Sequence, residues 1–111
     1  MKTIKETSDS RPNLPKLDSV AVLFALGSPV RLPIIKPLGD GRTMTITECA
    51  AVAGYTRENM GKQMLVLLNA GVVECFAGED RRQSVYSISA ARRPAPGVLD
   101  YGFCKIDLKQ L

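Results

Sequence analysis

The chain has 111 residues, 45% of them apolar and 23% charged, with 15 Lys and Arg against 11 Asp and Glu. That is the size and composition of one globular domain, and it excludes two domains, a barrel enzyme and a large cofactor fold. The net charge of +4 permits contact with a polyanion without requiring it, and the absence of histidine removes every imidazole base and every imidazole metal ligand.

Aromatic residues are only 5% and Trp is absent, so the core must be aliphatic. Cys49, Cys75 and Cys104 are scattered and odd in number, which does not fit a disulfide framework. They are expected to be small packed side chains in a reducing compartment. No apolar run approaches the length of a membrane span, and residues 1–10 carry no apolar signal segment. A cytoplasmic location without membrane association is the expectation.

Residues 1–16 are polar and hold Pro12 and Pro15, which predicts a mobile tail. Residues 17–26 carry Leu17, Val20, Leu23, Phe24 and Leu26, a pattern for a short buried helix closed by Gly27. Ser28-Pro29 opens a second helix over 30–38, kinked or frayed by Pro33 and Pro37, with Gly39 as its stop. Asp40-Gly41 is a turn, and 42–44 a short strand. Thr45 and Glu48 have capping-box spacing for a helix over 46–53 that ends at Gly54. Thr56 caps a helix over 57–70, whose buried stripe is Met60, Met64, Leu67 and Leu68, and Gly71 terminates it. Two strands follow, 72–76 and 83–89, with Gly78-Glu79-Asp80 turning between them and Tyr86 and Ile88 on one face. Residues 90–97 form an extended linker, and 98–108 alternate as a last strand.

Ala50 lies four residues before Gly54, and Met60 six after it. A small residue, a glycine elbow and an apolar lock at this spacing form a helix-turn-helix. A hairpin after its second helix completes a winged helix, so the predicted class is α+β: three to four helices, a β-hairpin wing and a C-terminal strand segment. Residues 17–90 would form the domain, and 91–111 a linker and strand arm.

Over residues 20–89 the chain resembles the ArsR-like winged-helix transcriptional regulators. The matching text is Leu26-Gly27-Ser28-Pro29-Val30-Arg31-Leu32, Ile46-Thr47-Glu48, Gly54-Tyr55-Thr56, Lys62-Gln63-Met64, Leu67-Leu68-Asn69-Ala70-Gly71-Val72-Val73 and Val85-Tyr86-Ser87-Ile88. The resemblance implies a recognition helix over 57–70 whose first turns enter the major groove of double-stranded DNA. Arg57, Asn59, Lys62 and Gln63 would then meet base edges. Arg and Lys suit guanine, and Asn and Gln suit adenine. Thr56 and the amides beside it would hold a phosphate. Arg81 and Arg82 would touch flanking DNA from the wing tip, where Glu79 and Asp80 offset their charge. Glu58 works against phosphate contact, and Gly61 departs from the family, which often has Ser there.

The family's metal-binding thiol pair falls on Thr45 and Thr47, and hydroxyls cannot replace thiolates for a soft metal. No metal, no cofactor and no enzymatic activity are expected. The alternating segment 98–108, together with the first helix, is expected to build a homodimer; docking of that segment on its own chain is the other outcome. The expected function is that of a small sequence-specific DNA-binding regulator reading a pseudo-palindromic site. The alternative is a winged-helix protein-interaction module that binds no DNA.

Overall fold

The computed structural model describes residues 15–80 and 82–111. Residues 1–14 of the expected tail, and the wing residue Arg81, lie outside the described residues. Among the described residues the architecture is α+β: four α-helices, a three-stranded antiparallel sheet and a separate two-stranded one.

Helix α1 spans Ser19–Leu26. It starts two residues later than the apolar pattern suggests, because the Asp18 carboxylate accepts from the amides of Val20 and Ala21 and so marks the first turn. Helix α2 spans Leu32–Gly39. Ser28 Oγ does accept from the amides of Val30 and Arg31, but that turn stays separate from the helix. Proline explains the shift. A helix starting at Val30 would place Pro33 where an amide donor is needed, whereas a start at Leu32 puts it in the first turn, where none is. Pro37 stays inside the helix without ending it. Gly39 is not the expected stop. It is the last helical residue and is buried, and a side chain there would collide with Leu108.

Strand β1, Met44–Thr45, leads directly into α3, Ile46–Ala53. The capping box is complete: Thr45 Oγ1 accepts from the Glu48 amide at 3.2 Å, and Glu48 Oε1 accepts from the Thr45 amide at 2.8 Å. Gly54 ends α3 at φ +70, a left-handed conformation that favours glycine. Helix α4, Arg57–Asn69, begins three residues later, with Thr56 Oγ1 accepting from the Asn59 amide. Strands β2, Glu74–Ala77, and β3, Ser84–Ser87, form a hairpin. β3 is central, pairing with β2 on one side and with β1 on the other through Met44 opposite Tyr86. Both strands are shorter than expected. Val72 and Val73, assigned to the first strand, instead turn into the core, as does Ile88 beyond the second.

The C-terminal region differs most from expectation. Residues 90–97 hold a 3-10 turn, Ala90–Arg92, and Arg92 is buried. Its guanidinium donates to the Pro15 carbonyl at 3.0 Å and stacks over the Tyr101 ring. The alternating segment is a hairpin, β4 (Val98–Asp100) and β5 (Lys105–Asp107), reversed at Gly102. Period-two alternation cannot distinguish one strand from two. Leu99, Tyr101 and Leu108 join the same core as α1 to α4, and the buried Tyr101 hydroxyl donates to the Val72 carbonyl at 3.1 Å. The segment expected to serve as a dimer arm is therefore docked on its own chain. Among the described residues no helix is long and apolar enough to cross a membrane.

Candidate nucleic-acid interface

Helix α4 has two chemically distinct faces. Met60, Met64 and Leu67 are fully buried, at the i, i+4, i+7 spacing that makes one face of a helix. Cys49 and Ala50 of α3 lie in the same core cluster, with the glycine elbow joining the two helices. With that face anchored, Arg57, Glu58, Asn59 and Lys62 are left exposed on the first two turns.

The expected contact residues do not all share one fate. Arg57, Asn59 and Lys62 are all exposed; Asn59 and Lys62, three apart, are neighbours on the helix surface, whereas Arg57, two before Asn59, does not share their side. Thr56 is exposed at the helix start, and its hydroxyl oxygen is occupied by the Asn59 amide. Gln63 is set apart. It is half-buried, and its Oε1 accepts from Arg31 Nη1 at 2.6 Å. An amide committed to a guanidinium has lost the acceptor half of a bidentate adenine contact, so Gln63 is a strut and not a reader.

Arg31 lies within the Leu26-to-Leu32 text of the resemblance, yet nothing in that text assigns it a structural role. It is buried, and it donates through Nε to the Ala25 carbonyl at 2.6 Å and through Nη2 to the Phe24 carbonyl at 3.0 Å. These are carbonyls at the C-terminal end of α1, left without helical partners and sited where the helix dipole favours a cation. One guanidinium thus caps α1 and braces α4.

At the β2–β3 turn, Gly78 donates to the Gln83 carbonyl at 2.8 Å and Gln83 to the Asp80 carbonyl at 2.8 Å. Arg82 is exposed and folds back on Asp80, with Nε 3.3 Å from Oδ1. The Asp80 carboxyl is held below its usual range by the Arg82 amide first and its guanidinium second.

Arg57 and Arg82, far apart in sequence, line the same cleft of about 250 Å³ between α4 and the hairpin. Thr45, Thr47, Gly61, Gln83, Ser84 and Tyr86 also line it. The hairpin members and the two threonines are site residues that sequence reading missed, because only the pairing of β1 with β3 brings them to α4.

The thiols divide by environment. Cys49 is buried, and burial, with the Glu48 charge second, pushes it up to about 11. Cys75 is exposed on β2, against the expectation of a packed side chain, because neither face of the short β2 is covered. Among the described residues no group of three or more His, Cys, Asp or Glu side chains is arranged to hold a metal ion. No protein-family model matches this chain, and no curated protein is significantly similar to it.

Proposed function

We propose that the chain is a small winged helix-turn-helix DNA-binding regulator, of the kind the ArsR-like resemblance implies, with α4 as its recognition helix. The observation that carries the reading is the split of α4. One face is locked into the core, and the exposed remainder carries Asn59 and Lys62 as surface neighbours and Arg57 towards the hairpin. Cationic side chains supply the salt-dependent attraction to phosphates, and Asn59 and Lys62 can discriminate adenine and guanine edges.

The proposed working unit is a dimer, joined through α1. Helix α1 has no charged residue between Ser19 and Leu26, yet leaves Val20 74%, Leu23 56% and Phe24 68% exposed. An apolar, uncharged face repels no copy of itself, which suits a two-fold interface where each residue meets its own kind. Two copies would set their α4 helices in major grooves about 34–36 Å apart.

Band-shift titration of random duplexes across a salt series tests the reading. Affinity is expected to fall steeply with salt, and Lys62→Ala to weaken binding. No binding, or binding indifferent to salt, overturns it. The exposed α1 face and Glu58 beside Arg57 favour a second reading, a protein-interaction module that binds no DNA, and that result would support it.

A further inference from the structure

The cleft between α4 and the hairpin has features that the groove-reading role does not use. Its two cations come from different elements: Arg57 from the first turn of α4, and Arg82 from the hairpin. Among the described residues no carboxylate lines it. Thr47 and Ser84, both with hydroxyl side chains, are part of the same lining. Gly61 forms part of the wall, and a Cβ built there meets nothing within 4 Å. Gly61 thus stands beside open space that a long side chain could enter. Arg82's present partner is Asp80, and both are solvent-exposed, so this pair is weak and can give way to a better anion.

We propose that this cleft binds one phosphoryl group, gripped by Arg57 from the helix side and Arg82 from the hairpin side. Arginine forks match phosphate oxygens in a way that lysine does not. The group could belong to the backbone of a bound duplex or to a free phosphorylated small molecule, and the chemistry recognised is the same. The first source rests on the DNA-binding reading, and the second does not. In either case Arg57 holds a phosphate and leaves base reading to Asn59 and Lys62.

The test uses the full chain in phosphate-free chloride buffer, with a random duplex and inorganic phosphate as separate probes. Variants are Arg57→Gln, Arg82→Gln, the pair together, and Gly61→Leu, which fills the cleft while favouring the helix. If both arginines serve one backbone phosphate, either alone still neutralises it, so each single variant lowers the slope of log affinity against log salt by less than one and the double variant lowers it by about one. Gly61→Leu should weaken duplex binding with its melting temperature maintained. If the source is a free phosphorylated molecule, inorganic phosphate shifts the Gly61 and Ser84 amide resonances of the parent but not of the double variant.

Slope losses that add to about two mean two separate phosphates, and they overturn the shared grip. Normal salt-dependent duplex binding by the double variant, without phosphate-induced shifts in the parent, sinks the cleft and leaves the DNA reading standing. Phosphate-induced shifts without duplex binding do the reverse. Failure of both probes removes both.

Discussion

Helices α1 and α4 are both held by the same core, yet they present opposite outer surfaces. The inner face of α1 is Val22, Ala25 and Leu26, and that of α4 is Met60, Met64 and Leu67. Outward, α1 shows Val20, Leu23 and Phe24 and no charge, whereas α4 shows Arg57, Glu58, Asn59 and Lys62 with Leu65 as its one exposed large apolar residue. Inner faces obey one rule, burial of apolar area, and so look alike. Outer faces are free of that rule, and their difference reflects what each is proposed to meet: a second copy on one side, a polyanion on the other.

The contrast can be broken at several points. The largest effect is expected from Val20→Glu combined with Leu23→Glu, which puts like charges across the proposed two-fold. Sedimentation should show a dimer dissociation constant at least about tenfold higher, about 1.4 kcal/mol. Urea stability of the monomer should be nearly unchanged, since both positions are exposed. A parent that sediments as a monomer at high concentration removes the α1 half of the comparison.

Arg31→Met tests the tie between the two helices. It strips partners from the Phe24 and Ala25 carbonyls and from Gln63 Oε1. A loss of about 1.5–3 kcal/mol in urea unfolding is expected. Gln63→Ala should cost less, because the two carbonyl bonds survive. Equal costs would mean that the brace, and not the cap, is the main role of Arg31.

Smaller effects come from the helix starts. Asp18→Ala and Thr56→Ala each remove a side-chain cap, of α1 and α4 respectively, and should cost about 1 kcal/mol each in urea unfolding. Thr56→Ala should also lower duplex affinity if the start of α4 lies against DNA, and Asp18→Ala should not.

The smallest effect concerns thiols and alkaline pH. Brief alkylation of the folded chain near pH 8, read by mass spectrometry, should label exposed Cys75 first and Cys49 only after unfolding. Cys49 rises from 9.0 to about 11 on folding. The folded state therefore keeps a proton that the unfolded state releases, so the thiol's contribution is intact below pH 9 and is lost as pH climbs towards 11. The urea midpoint should fall across that window, and fall less in Cys49→Ala. Burial raises Tyr101 as well, which adds its own decline at the upper end.

Local chemistry was well encoded. Thr45 with Glu48, Gly54 and Thr56 placed both helices of the turn within a residue, because caps and a left-handed glycine act on neighbours a few positions away. The exposed set Arg57, Asn59 and Lys62 followed from the period of Met60, Met64 and Leu67. Gln63 escaped that logic, because whether a residue at the edge of a buried stripe is free depends on what stands beside it, here an arginine 32 positions earlier.

The chain alone thus determined where α3 and α4 begin and end and which stripe of α4 is buried, since these depend on hydrogen bonds and periodicities spanning a few residues. Tertiary structure decided the rest. It turned 98–108 into a hairpin docked on its own core, made Gly39 a packing site under Leu108, and spent Arg31 and Arg92 on backbone carbonyls. It also brought Arg57 and Arg82 to one cleft. Each of these outcomes joins residues far apart in sequence, and such contacts are set by how the whole chain fills its core, which no local pattern records.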